Sequence, residues 1–161
     1  MLRARPAYDG ALDVDVLTEI EIDRPRAQVA AFACDPDNAT VWYENIKSVD
    51  WKTARPLAVG SRIAFAARFL GRSLVYTYVV KAWVPDERFV MGTIEGPFPM
   101  ETTYTWQDAG PGRTRMTLHN QGQPSGFATF ASSIMSRAMS RANRRDLARL
   151  KQVIESLEAP T

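Results

Sequence analysis

The stretch "SSIMSRAMSRANRRDLARLKQVIESL", Ser132 to Leu157, decides the fold. Counting back from Leu157 in steps of three and four passes Ile154, Leu150, Leu147, Asn143, Met139 and Ser136. That spacing puts them on one face of an α-helix. The C-terminal half of the stripe is Leu and Ile, which suits a dry core. The earlier half holds Met135, Ala138, Met139, Ala142 and Asn143, a soft and partly polar set where leucines would pack better. Small residues leave room, Met adapts to irregular shapes, and a buried amide demands a partner. The helical pattern runs from about Phe127 to Leu157, about 45 Å of helix. That exceeds what a small sheet needs, so a bend or an interrupted start near Ser132 is expected.

Working outward toward the N-terminus, the chain alternates. "DVDVLTEIEID" (Asp13–Asp23) places Val14, Val16, Thr18, Ile20 and Ile22 on one parity, a strand with one face toward a core. "RPRAQVAAFACD" follows, with Pro25 suited to a helix start and Val29, Phe32 and Ala33 as an apolar stripe. "DPDNATVWYEN" breaks that helix and begins a second short one. Six strands then follow: "IKSVDWKT", "RIAFAARF", "LVYTYVVKAW", "RFVMGTIE", "METTYTWQD" and "RTRMTLHNQG". Short turns such as "LGRS", "VPDE", "GPFP" and "AGPG" separate most of them, as an antiparallel meander requires. The fold class is therefore α+β, with a helix segregated onto one side of a sheet of about seven strands. Residues 1–11 form a loose lead-in, and the whole chain, 1–161, is expected to be a single domain.

The totals narrow the function. Charged residues make up 24% and the formal net charge is +2, so the overall charge demands neither nucleic acid nor membrane. One cysteine, Cys34, excludes an intrachain disulfide and a cysteine–zinc cluster. No secretory signal and no window near the roughly 18 apolar residues of a membrane span is found. A cytoplasmic location is expected. No phosphate loop, dinucleotide fingerprint or zinc spacing occurs, so neither a cofactor nor a metal is expected.

The order of elements and several phrases resemble the helix-grip fold of the START-like (SRPBCC) superfamily. The phrases are "IDRPRAQVAAFACDPDNATVWYENIKSVDW", "PLAVGSRI", "GRTRMTL" and "RRDLARLKQVIE". They resemble most the bacterial polyketide cyclase/dehydrase-like proteins, over Asp13 to about Glu158. The resemblance implies a sheet curled around the long helix, with a cavity between them. It implies a small hydrophobic or amphipathic ligand, or alternatively an aromatase/cyclase acting on a polyketide-type carbonyl substrate.

Candidate ligand-binding residues follow from strand parity and from the helix stripe. They are Phe65, Phe69, Tyr76, Tyr78, Met91, Thr93, Tyr104, Trp106, Met116 and Asn120 from the strands, with Met135, Met139, Ala142 and Asn143 from the helix. Aromatic and apolar walls with a few placed polar groups are typical of ligand pockets. Glu95 shares the parity of Met91 and Thr93 and is the weak candidate for a general acid or base. For cyclase chemistry the further candidates are Tyr76, Tyr78, Tyr104 and Asn143. Glu101 has the outward parity. His119, the only histidine, shares the outer parity of Arg115 and Thr117. Cys34, beside Asp35, is expected to be a small buried residue. Arg137, Arg141, Arg144, Arg145, Arg149 and Lys151 give the last helix a basic face, which offers a third reading as an adaptor. Nucleic acid is not expected as a partner, and the sequence leaves monomer and homodimer open.

Overall fold

The structure, a computed structural model, describes residues 14–123 and 129–158. The lead-in over 1–11 and the expected helix start at Phe127 lie outside those residues. Seven strands form one antiparallel sheet: β1 (Val14–Ile22), β2 (Ile46–Trp51), β3 (Arg62–Phe69), β4 (Arg72–Val84), β5 (Arg88–Glu95), β6 (Met100–Asp108) and β7 (Thr114–Gly122). Their spatial order is β1-β7-β6-β5-β4-β3-β2, a meander from β2 to β7 with β1 added beside β7. Helices α1 (Arg26–Cys34) and α2 (Ala39–Trp42) fill the link from β1 to β2, with a 3-10 turn at Pro36–Asn38 between them. Helix α3 (Thr129–Ser156) closes the fold. This is the helix-grip architecture expected from the element order.

Local chemistry explains the elements. Strand β1 alternates buried Val14, Val16, Thr18 and Ile22 with exposed residues between them, as a strand with one wet face must. Pro25 precedes α1 in an extended conformation, where its missing N–H costs nothing. Asp35 leaves α1 in an extended conformation, and its carboxylate caps the following 3-10 turn by accepting from the Asp37 backbone N–H at 3.0 Å. At the C-terminus of α3, Arg24 donates to the carbonyls of Glu155 at 2.5 Å and Leu157 at 3.0 Å, and the Asp23 N–H donates to the Glu155 carboxylate. Carbonyls left orphaned at a helix end are thereby satisfied, and a cation sits at the negative pole of the helix dipole.

The 28 residues of α3 span about 42 Å. The described helix runs unbroken from Thr129 through Ser132, and an interrupted start before Thr129 lies outside the described residues. Its backbone packs most extensively against edge strand β1, with lesser contact to α2 and α1. Leu147, Leu150 and Ile154 pack into the main core with Ile22, Val29, Trp42 and Leu118. Met135 and Met139 belong to a second cluster with Val14, Val16 and Phe98. Each of three places has one residue inserted into a pair of strands: Lys47 in β2, Lys81 in β4 and Ile94 in β5. Such bulges kink a strand and increase its twist.

The two halves of α3 should answer differently to truncation. Leu150→Ala is expected to cost roughly 3–5 kcal/mol, because its site is fully enclosed. Met139→Ala is expected to cost about 2 kcal/mol, at the low end of the range, because its side chain borders open space. Urea denaturation of both variants checks the difference, and equal losses would show that both halves are packed alike.

Candidate functional site

Between the concave face of the sheet and the middle of α3 lies a cavity of about 160 Å³. Strands β3 to β6 contribute Phe65, Phe69, Leu74, Tyr76, Tyr78, Phe89, Met91, Met100, Thr102 and Tyr104 to its wall. Helix α3 contributes Met139, Ala142, Asn143 and Asp146. The segment from α1 through α2 closes one end with Cys34, Trp42 and Tyr43, and Phe98 reaches in from the β5–β6 turn. The aromatic rings form two groups, one around Trp42, Tyr43 and Tyr104 and one around Tyr76, Tyr78, Phe65 and Phe98. Trp42 stacks on Tyr43 with centroids 3.8 Å apart, and it meets the Tyr104 ring edge-on at 6.0 Å. Tyr76 bridges Tyr78 and Phe98. Gly96 adjoins the second group for a steric reason: a Cβ there would lie 2.6 Å from the Tyr76 ring, at a φ of +153°. Only glycine combines that backbone with that approach.

Several polar groups interrupt the apolar wall, among them an amide chain, a phenol pair and a carboxylate. Asn143 donates its amide N–H to Asn120 Oδ1 at 2.7 Å, and Asn120 donates in turn to Thr102 Oγ1 at 2.9 Å. The buried amide on α3 thus has the partner that the sequence demanded. The hydroxyls of Tyr43 and Tyr104 form a hydrogen bond of 2.5 Å. Burial pushes both phenols well above their ordinary range, so both stay protonated. The third group is Asp146. It is 3% exposed, and its Oδ1 accepts from the Glu44 backbone N–H at 2.9 Å. Burial lifts its carboxyl to about 6.

The structure sorts the sequence candidates into four groups. Phe65, Phe69, Tyr76, Tyr78, Met91, Tyr104, Asn120, Met139, Ala142 and Asn143 are brought together on the cavity wall. Trp106 and Met116 share the inward face but sit within close-packed core at 1% and 0% exposure, away from the wall. Met135 faces inward one turn before the cavity and packs with Val14, Val16 and Phe98. The Thr93 hydroxyl is committed to the backbone of Met100, accepting from its N–H at 2.8 Å and donating to its carbonyl. Thr93 ties the β5–β6 hairpin and does not line the cavity.

Glu95 requires a correction. The bulge at Ile94 inserts one residue, so Tyr78 pairs with Thr93 while Thr77 pairs with Glu95. A single inserted residue reverses parity. Glu95 therefore points to the outer face, exposed, where its carboxylate accepts from the Thr77 hydroxyl at 3.4 Å. Glu101 also faces outward, paired with Lys81. His119 lies on the outer face against Asp15. Burial pushes the Cys34 thiol up to about 12, so it packs as a small apolar group on the wall. On α3, Arg137, Arg141, Arg144, Arg145 and Arg149 are exposed. Lys151 is drawn instead to the Glu21 carbonyl and to Glu155.

Sequence reasoning missed Asp146, Tyr43, Trp42 and Phe98. Asp146 was legible: it lies three residues after Asn143 and four before Leu150, on the same stripe, but as an acid among arginines it reads as part of the charged face. Phe98 sits in a turn, where strand parity carries no information. No curated protein matches the chain significantly in sequence. The model of the family described as "Polyketide cyclase / dehydrase and lipid transport" matches residues 13–155. Among solved structures, a START superfamily protein from Mycobacterium smegmatis superposes with a TM-score of 0.76 at 14% identity, covering 89% of this chain and 99% of that one. The Zhui aromatase/cyclase from Streptomyces gives 0.75 at 12% identity, covering 89% and 94%. A major latex-like protein from Panax ginseng gives 0.68 at 11% identity, covering 88% and 97%. At such identities the likeness shows the fold alone. Among the described residues no helix is long and apolar enough to cross a membrane, and no cluster of His, Cys, Asp and Glu is placed to hold a metal ion.

The buried carboxylate makes stability depend on pH. Asp146 moves from an ordinary 3.8 to about 6 on folding, so the folded state holds the proton more tightly. Stability is then lost as pH rises between those values, by on the order of 2–3 kcal/mol. Asp146→Asn keeps an acceptor for the Glu44 N–H and removes the charge. It is expected to be about 2 kcal/mol more stable than the parent at pH 8 and equal to it near pH 4, by urea denaturation. A difference independent of pH would show that Asp146 ionises as it does in water.

Proposed function

The chain belongs to the polyketide cyclase/dehydrase and lipid transport family, and from that premise we propose that it binds a small hydrophobic or amphipathic molecule between its sheet and α3. The observation that carries this reading is the cavity itself: about 160 Å³ of space inside an otherwise close-packed fold, walled by aromatic rings and interrupted by a few partnered polar groups. An empty volume of that size forfeits packing energy that the chain could recover with larger side chains at Ala142 or Ala67. A ligand restores those contacts.

Size limits the ligand. A cavity of about 150 Å³ accepts a single aromatic ring, and drug-sized ligands occupy pockets of about 300–1,000 Å³. The ligand is thus a compound of one or two rings, its flat faces against the aromatic wall and its polar end toward the polar side chains of α3, Asn143 and Asp146.

Catalysis on a polyketide-type carbonyl is the second reading. It is favoured by Asp146, an acid on the cavity wall whose ionisation falls near neutral pH, with the Tyr43–Tyr104 hydroxyl pair also on that wall. The small volume weighs against folding a long poly-β-ketone inside it.

Fluorescence titration with 2-naphthol, a neutral two-ring probe, tests the binding reading. One equivalent is expected to bind, and pyrene, with four fused rings, is expected to be excluded. Ala142→Trp should keep the fold, judged by circular dichroism, and lower 2-naphthol affinity at least tenfold. Unchanged affinity in that variant would place the probe elsewhere and overturn this site.

A further inference from the structure

Resting on that binding reading, we propose that the cavity selects its ligand by charge, and that the ligand is a small aromatic amine whose ammonium group is held by the carboxylate of Asp146. The first support is the charge of the wall. Among the residues lining the cavity, the only charged ones are Asp35 and Asp146, and no lysine or arginine lines it. Asp35 is exposed and already bonded to the Asp37 N–H. Asp146 is the one buried charge.

The second support is how Asp146 is compensated. A buried carboxylate is normally paired with a cation or held by several donors. Here a backbone N–H, that of Glu44, reaches Oδ1. The elements packed around Asp146 offer little else. Tyr43 and Glu44 follow α2, Tyr104 lies on β6, and the Tyr hydroxyls are bonded to each other. Arg149, one turn further along α3, is exposed and only modestly offsets the burial. The raised carboxyl value reports the same deficit. A ligand cation would supply the charge that the fold withholds.

The third support is the surface beside the acid. The rings of Trp42, Tyr43 and Tyr104 form that end of the wall. Aromatic faces attract a cation as well as an apolar ring. A carboxylate ligand such as a fatty acid meets the reverse: apolar wall, a like charge, and no cation.

Three ligands of one shape separate the terms: 2-phenylethylamine, 2-phenylethanol and 3-phenylpropanoate, titrated calorimetrically against the full chain at pH 7.5. The amine is expected to bind at least tenfold tighter than the alcohol, and the carboxylate not measurably. Asp146→Asn should remove the amine's advantage, so that amine and alcohol bind that variant alike. Below pH 5, where the acid is protonated, the amine should weaken toward the alcohol. Equal binding of amine and alcohol, or an amine preference that survives Asp146→Asn, would overturn the proposal while leaving the cavity reading in place. Failure of 2-naphthol to bind would remove the cavity reading itself.

Discussion

The structure depends on one unequal contact, that between α3 and the rest of the fold. One half of the helix is locked by Leu147, Leu150 and Ile154 against Ile22, Val29 and Trp42, with exposures at or near zero. Dense packing of this kind determines where the helix axis lies. The other half is carried along because a helix is stiff. It stands over the sheet whether or not side chains fill the gap, and at Ala142 and Asn143 they do not. A cavity therefore persists without collapsing, held open by the packed end and by the curvature that bulges impose on β2, β4 and β5.

Polar groups in such a cavity are costly unless satisfied, and those here are satisfied to different degrees. The amide of Asn143 is absorbed into a chain through Asn120 to Thr102. The Tyr43 and Tyr104 hydroxyls satisfy each other. Asp146 has its backbone donor and carries a charge besides. The gradient runs from structural polarity at Asn143 to a group held at some expense of stability at Asp146. Groups of that second kind mark functional surfaces more often than core.

Much of the candidate site was legible in the sequence where periodicity operates. Phe65, Tyr76, Tyr78 and Tyr104 face the cavity because strand side chains alternate, and Met139 and Asn143 face it because helical ones recur every three to four residues. The failures have physical causes as specific. Glu95 was misplaced because Ile94 adds a residue that no pattern in "RFVMGTIE" announces, and parity reverses beyond it. Trp106 and Met116 have the right parity, yet depth along the sheet, which parity does not encode, puts them in solid core. Thr93 has a hydroxyl that its own hairpin consumes.

What the sequence by itself determined is the order of elements, the inward face of most of them and the change of chemistry halfway along α3. These are local properties, set by alternation, turn residues and helical spacing over a few neighbours. What only the tertiary structure decided is which inward residues meet empty space, and that Asp146 faces that space instead of the arginines beside it in sequence. Those outcomes depend on the distance between a helix and a curved sheet. That distance is set by packing within a core that joins residues more than a hundred positions apart, such as Ile22 and Leu150, and no local pattern contains it.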